Sequence, residues 1–239
     1  MNWYLQRGKD SDVVVNCKIM FSRNLRNHRF NTRSLPEIQE IENEVKSKLQ
    51  GIGYNLKFIK IKDLDELTKR SMVEKGLIDE TSIKNENTSI LINDDENICI
   101  VLNSQDHIEI QVFNTGMELE STFNLAKEID NKIDKIFDIA KSKKYGYLTS
   151  SPLDVGTGLK AEVTIHLPGL TMTGNMRKVA IAMNNLGVSF SSKYINGQEN
   201  IGDIYRMKNK QTLGISEDTI INNLKAISEK MIEQERAAR

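Results

Sequence analysis

The chain has little of what marks the specialised classes. Only 2 of its 239 residues are cysteine, which excludes a disulfide-stapled scaffold and makes a reduced, cytoplasmic setting the expectation. Proline is scarce at 3 and glycine modest at 14. With no linker rich in Pro, Gly or Ser and no internal repeat, one continuous domain over residues 1–239 is expected. Neither charge is in excess, because 33 Lys and Arg balance 33 Asp and Glu. A strongly basic nucleic-acid binder is therefore disfavoured. No run approaches the roughly 18 apolar residues of a membrane span. The first thirty residues carry Lys9, Asp10 and Asp12 and no apolar core, so no secretory leader and no membrane partner is expected. What is present, 38% hydrophobic and 28% charged residues, suffices for a sizeable soluble core.

Hydrophobic spacing predicts four amphipathic helices. Ser34, Leu35, Pro36 and Glu37 read as a capping box with proline in the first turn, followed by Ile38, Ile41, Val45 and Leu49. Residues 117–140 place Leu119, Phe123, Ala126, Ile129, Ile133 and Phe137 on one face. A shorter helix over 176–186 ends at Gly187, a C-cap signal. The last begins at Ser216, with Glu217 and Asp218 where the helix dipole favours negative charge. Strands are predicted over 56–61, 89–92, 98–102, 107–113, 162–167, 188–194 and 203–207, with a polar hairpin turn at 93–97. Runs of strands followed by single helices indicate an α+β domain with a mostly antiparallel sheet. Two strands divide their faces cleanly. Ile108, Ile110 and Val112 oppose His107, Glu109 and Gln111, with Gln105 joining them if extended. Ala161, Val163, Ile165 and Leu167 oppose Lys160, Glu162, Thr164 and His166. The polar faces read as solvated, or alternatively as a ligand floor.

The segment from Leu148 through Ser151, Pro152, Asp154, Gly156, Thr157, Gly158 and Lys160 to Ala161 resembles the C-P-(T/S)-N-x-G-T-G-x-R-A pattern of the ATP:guanido phosphotransferases, whose bacterial branch contains protein arginine kinases. Residues 12–25 are similar to that branch's D-(I/V)-V-x-S-S-R-(I/V)-R-L-A-R-N opening. Residues 73–78 resemble V-E-K-H-L-I, 103–111 resemble N-E-E-D-H-(L/I)-R-I-Q, and 209–214 resemble N-Q-x-T-L-G. Order and spacing hold from Asp12 to the end. The resemblance implies the guanido-kinase, glutamine-synthetase-like catalytic fold, with ATP and magnesium as cofactors if the chain is active. It nominates nucleotide positions at Asn16, Cys17, Lys18, Ile19, Met20, Glu109, Lys160, Ala161, Glu162, Val163, Thr164, Ser191, Ser192 and Lys193, and catalytic positions at Ser104, Gln105 and Ser151. It also implies that the bacterial members continue past the last helix into a helical portion, absent from 1–239, with residues 232–239 similar to the junction.

The departures bear on the chemistry. Where the resemblance calls for phosphate-clamping arginines stand Lys18, Met20, Glu109, Lys160 and Ser191. A lysine attracts phosphate as a point charge but lacks the bidentate fork, and Glu109 opposes an anion. The paired glutamates that would orient the guanidinium and take its proton are Ser104 and Gln105, which can do neither. The active-site cysteine is Ser151, the V-E-K-H histidine is Gly76, and the R-G-x-Y-G-E segment reads from Ser191 to Asn196. A slip of two would bring Lys193 to the arginine position. Losing a general base costs roughly 10²–10⁴ in rate and one preorganised donor about 10²–10³. These losses do not add, yet they leave little of the reaction. The expectation is a kinase fold without kinase chemistry, partnered by an active arginine kinase, its regulators or the Clp protease system, with active arginine phosphorylation as the alternative.

The remaining constellations read more plainly. His28, His107, His166, Cys17 and Cys99 lack ligand spacing, so no metal site is expected. Both thiols read as small core fillers. Arg23, Arg26, His28, Arg29 and Arg33 form a basic stretch, solvated or near an anion site, with a structural pairing expected for Arg23. The Gly156-Thr157-Gly158 turn lacks the G-K-(S/T) of a P-loop, though its backbone N–H groups could face an anion.

Overall fold

The computed structural model describes residues 2–32, 34–49, 51–196 and 199–239. Its strands are β1 (Val14–Arg23), β2 (Lys57–Lys60), β3 (Ser89–Ile92), β4 (Ile98–Leu102), β5 (Ile108–Thr115), β6 (Lys141–Ser142), β7 (Gly146–Tyr147), β8 (Leu159–His166), β9 (Val188–Ser192), β10 (Ile195–Asn196), β11 (Glu199–Asn200) and β12 (Ile204–Asn209). Its helices are α1 (Leu35–Leu49), α2 (Glu66–Glu74), α3 (Glu80–Lys84), α4 (Leu119–Ile136), α5 (Pro168–Met172), α6 (Met176–Asn185) and α7 (Glu217–Ala238). Eight strands form one antiparallel sheet in the order β2-β3-β4-β5-β1-β8-β12-β9, and β6-β7 and β10-β11 are separate ribbons.

Strand alternation sorts the residues into two faces. On one, Cys17, Ile19 and Phe21 of β1 join Ile108, Ile110 and Val112 of β5 and Ala161, Val163 and Ile165 of β8 in the main core. Helix α4 covers this face with Leu119, Phe123, Ala126, Ile129 and Ile133, and α1, α6 and α7 add their own stripes. The helix expected to run to residue 140 stops at Ile136, though Phe137 stays buried beneath it. The opposite face changes character partway across the sheet. Over β3, β4 and the end of β5 it is apolar, with Ile90, Ile92, Cys99, Val101 and Phe113 under Trp3, Met72, Leu77 and Ile78. From β5 onward it turns polar.

The ends of the elements follow local chemistry. The Ser216 hydroxyl accepts from the Thr219 N–H at 3.1 Å, opening α7 as expected. The capping box at α1 does not close on itself. Glu37 instead accepts from the Arg29 N–H at 2.8 Å and the Thr32 hydroxyl at 2.6 Å, tying the preceding loop to the helix. In the 93–97 hairpin turn, Asn93 Oδ1 accepts from the Ile98 N–H at 3.0 Å. The short helices α2 and α3, unmarked by periodicity, are capped by Asp65 and Asp79.

Candidate functional site: the polar face of the sheet

Strand register assembles the polar face row by row. Phe113, Lys18, Glu162, Lys208 and Ser189 form one row across β5, β1, β8, β12 and β9. Gln111, Met20 and Lys160 form the next. Asn16, Thr164, Arg206 and Ser191 form a third. Glu109 lies between Val101 and Ser22. The face is not simply solvated: Glu109 is 9% exposed, Gln111 4% and Thr164 0%.

The same alternation divides the nominated nucleotide positions. Asn16, Lys18, Met20, Glu109, Lys160, Glu162, Thr164 and Ser191 share the polar face. Cys17, Ile19, Ala161 and Val163 do not, because their side chains lie in the helix-covered core, and Ser192 pairs with the buried Tyr205 rather than with Arg206. Those five positions can offer a ligand on the polar face no side chain. The Cys17 thiol contacts the Gly116 carbonyl at 3.2 Å, and burial pushes it up to about 12. Burial does the same to Cys99. Both are core fillers, as read from the sequence.

The two cations expected at the phosphates are otherwise engaged. Lys18 Nζ donates to the Gly76 carbonyl at 2.8 Å and lies 5.0 Å from the Phe113 ring centroid. Lys160 Nζ pairs with Asp154 at 2.6 Å. Charges that sequence reading did not single out are Arg206 and Lys208. Lys208 pairs with Glu162 at 2.8 Å. Arg206 is partly buried and its Nε has no hydrogen-bond partner. Lys193 joins them, two residues beyond Ser191 on the same strand face. Burial, with the charges of Arg206 and Lys208, holds Lys193 below its ordinary value against the pull of Glu162. Burial alone would raise Glu162, but Lys208 and Lys18 outweigh it and leave that carboxyl below the usual range. The signal for Arg206 and Lys208 was available, since they alternate with Tyr205 and Met207.

The other end of the face is acidic. Burial, then Asp106 and Asp79, push Glu109 up to about 7, with Lys160 and Lys18 opposing. Asp106 Oδ1 accepts from Asn24 Nδ2 at 2.6 Å and the Ser150 N–H at 2.7 Å, while its buried Oδ2 has no partner. The nominated catalytic positions sit on loops beside this end. Ser104 Oγ lies 3.2 Å from Ser82 Oγ, and Gln105 is exposed. Both line a 670 Å³ pocket with Asn31, Asn85, Asn87 and Asn103. Ser151 Oγ accepts from the Leu153 N–H at 3.3 Å. Gln105 and His107 precede β5 and do not extend its polar face. His107 is structural: Nδ1 accepts from the Leu25 N–H at 3.1 Å, so Nε2 donates to the Arg29 carbonyl at 3.0 Å.

Neighbouring segments fix the site rather than bind. Arg23 is fully buried and holds Asp130 through two 2.7 Å bonds. Its Nη1 also donates to the Ser22 and Thr157 carbonyls, and the Tyr147 ring lies 3.5 Å over the guanidinium. Arg26 pairs with Asp138, and His28 lies between Glu37 and Glu44. Arg33 lies outside the described residues. The basic stretch is thus spread over separate partners. In the Gly156-Thr157-Gly158 turn, the Gly156 and Thr157 N–H groups donate to Tyr147 and Thr212 carbonyls, so they do not face an anion. A Cβ on Gly158 would lie 2.6 Å from Arg23 Nη1, and its φ is +62°.

A polyphosphate fits the basic end, where the unpartnered Arg206 Nε lies beside Lys193 and Lys208. Among the described residues no group of three or more His, Cys, Asp or Glu is placed to hold a metal, so magnesium would enter on the nucleotide's own oxygens. No helix among the described residues is long and apolar enough to cross a membrane.

Comparison with known proteins agrees with the fold and the motifs. The profile of the ATP:guanido phosphotransferase C-terminal catalytic domain matches residues 37–238. The chain is 38% identical to a protein-arginine kinase of Bacillus pumilus, covering 99% of this chain and 67% of that protein. It is 36% identical to one of Bacillus subtilis, covering 100% and 67%. Among solved structures it superposes on a lombricine kinase with a TM-score of 0.82 at 19% identity, over 95% of this chain and 67% of that one. A substrate-free duplicated taurocyamine kinase from Schistosoma mansoni gives 0.81 at 19% identity, over 94% and 33%. With its α+β architecture, its motifs and this similarity along nearly the whole of its own length, the chain belongs to the ATP:guanido phosphotransferase family, as a protein-arginine-kinase-like member.

Proposed function

We propose that this protein-arginine-kinase-like domain uses its cleft to bind rather than to transfer phosphate, acting as a binding or regulatory pseudokinase. The observation that carries this reading is the neutral pair Ser104 and Gln105, standing where the resemblance calls for two carboxylates. A hydroxyl beside Ser82 and an exposed carboxamide offer a guanidinium no countercharge and no base near neutral pH. Lys18 and Lys160, turned onto the Gly76 carbonyl and Asp154, add to it. The partner is a protein of the arginine-phosphorylation system: an active arginine kinase, its regulators or the Clp protease machinery. The test is incubation with magnesium-ATP and an arginine-rich protein substrate, followed by assay for acid-labile phosphoarginine, alongside a pull-down against those partners. Turnover without a recovered partner would reject the reading.

One observation favours a second reading, an active protein arginine kinase with a rewired site. Glu109, with a pKa of about 7, is a buried carboxylate able to take a proton at working pH. On this reading Glu109→Gln abolishes arginine phosphorylation that the unaltered chain performs. Absence of that phosphorylation in the unaltered chain removes it.

A further inference from the structure

We infer that the groove between α6 and α7 is a docking site for an acidic amphipathic helix of a partner protein. Both helices pack on the core side of the sheet, away from its polar face. The inference therefore goes beyond the proposed function: it holds whether or not the cleft on the polar face transfers phosphate.

Three observations converge. The first is an apolar floor left open. Val179, Met183 and Leu186, from α6 and its C-cap, line a 500 Å³ groove with Ile227 and Met231 of α7. Leu186 is 60% exposed, and Ile181 on the same helix 56%. The second is missing charge. From Val179 to Gly187 there is no charged residue. A surface helix ordinarily carries charge on its outer side, as α7 does with Glu229, Lys230 and Glu233. Large apolar groups in place of those charges mark an interaction surface. The third is unbalanced positive charge. Lys178 and Lys230 stand one on each wall, and no carboxylate lines the groove. Among the described residues neither Lys178 nor the adjoining Arg177 has an ion-pair partner. Lys230 meets Glu233 at 2.9 Å, but both are about two-thirds exposed, and such a pair holds little. Glu229 acts on Lys225 instead. The start of α6 adds to the excess. Its first turn has no acidic residue and no side-chain cap, because Asn175 Nδ2 donates to the Thr173 carbonyl at 3.2 Å. The positive end of the helix dipole is thus unmatched.

The geometry selects the partner. Lys178 to Leu186 on one wall and Ala226 to Gln234 on the other make a trough about 12 Å long. That is two turns of a third helix, whose apolar side chains at i, i+3 or i+4, and i+7 would lie along it. An extended segment fits worse. The walls are helices whose backbone groups are bonded within themselves, so its own N–H and C=O groups would find no partners there. Acidic residues flanking the apolar stripe would meet Arg177, Lys178 and Lys230. A second copy docked through the same groove would set these cations against their own counterparts, so the occupant is a different protein.

The experiment is selection from a displayed library of amphipathic helical peptides of about 15 residues, randomised at the apolar stripe and its flanks. The bait is the full chain, and fluorescence anisotropy reads the affinity of the enriched peptides. The variants are Leu186→Glu and Lys178→Glu, each checked by its thermal transition; both side chains are exposed, so neither change should disturb the fold. The enriched peptides are expected to carry Asp or Glu beside an apolar stripe at helical spacing. Leu186→Glu should weaken them by at least about tenfold, the loss of one buried leucine. Lys178→Glu should weaken them by up to about fivefold, the size of an exposed ion pair. A Glu-to-Lys change in the peptide should recover part of that loss in Lys178→Glu while weakening binding to the unaltered chain. Enrichment of no peptide overturns the docking site. So does enrichment of uncharged or basic peptides, or equal binding by the unaltered chain and Leu186→Glu. Light scattering of the chain alone reads the competing occupant: a dimer that Leu186→Glu disperses would assign the groove to a second copy and overturn the acidic helix. The proposed function fails separately, by the appearance of phosphoarginine, which none of these measurements reads.

Discussion

Replacing Glu109 with glutamine should make the protein more stable at pH 8 and leave it nearly unchanged at pH 4.5. Glu109 is 9% exposed, between the neutral Ser22 and Val101 on the adjoining strands. Burial, Asp106 and Asp79 raise its pKa from 4.5 to about 7. The folded chain therefore keeps a proton that the unfolded chain releases between those values. Its contribution favours folding at low pH and is lost as pH rises from 4.5 through 7, after which the loss is constant. At 1.36 kcal/mol per pKa unit, the whole window is worth about 3 kcal/mol. Glutamine keeps the shape and cannot ionise. Urea denaturation of both proteins at several pH values reads the difference, which should open from near zero at pH 4.5 to about 3 kcal/mol above pH 7. His107, whose pKa burial lowers, contributes with opposite sign, but it is common to both proteins and cancels. Parallel stability curves across pH 4.5–8 would refute the argument, because Glu109 would then be charged and solvated at all of these pH values.

Three further outcomes test the scaffold. Asp130→Asn strips the fully buried Arg23 of its bidentate partner and should cost about 3–5 kcal/mol, read as a lower urea midpoint; a change under 1 kcal/mol would mean that the Tyr147 ring and the carbonyls hold the charge alone. Gly158→Ala drives a Cβ to 2.6 Å from Arg23 Nη1 and 2.8 Å from the Ser22 carbonyl at positive φ, and should lower the melting temperature by several degrees, about 1–3 kcal/mol. The thiols of Cys17 and Cys99, buried and pushed up to about 12, should resist a thiol reagent in the native protein and react fully in urea; rapid native labelling would contradict their burial.

Much of the fold was legible because long periodic segments report burial directly. The strands over 89–92 and 98–102 were read to the residue, since each is a short apolar run bounded by turn residues. The last helix was fixed by Ser216 and its acidic first turn. The short helices α2 and α3 escaped because each buries a single side chain, Met72 or Ser82, and one residue makes no stripe. The first strand, Val14–Arg23, was absent from the strands read by spacing and entered only as a motif, although Cys17, Ile19 and Phe21 alternate with Asn16, Lys18, Met20 and Ser22. At the site, alternation recovered Lys160, Glu162, Thr164 and Glu109, and ruled out Cys17, Ile19, Ala161 and Val163 once it was applied to the nominated positions. Arg206 was missed because the 203–207 stretch was weighed for its apolar residues, and Lys208 because the strand was ended one residue before it, whereas it runs to Asn209. Their importance depends on which strands flank β12, a long-range pairing that no local pattern carries. The ties of Lys18 to Gly76 and Lys160 to Asp154 are likewise contacts between distant segments.

The central claim is that the cleft binds without transferring. The most direct measurement is phosphoarginine formation by the purified chain with magnesium-ATP and an arginine-rich protein, read by acid lability of the label and mass spectrometry. The account predicts no phosphoarginine above a control without the chain. Phosphoarginine that appears with the unaltered chain and disappears with Glu109→Gln would contradict it and establish a working kinase with a rebuilt site.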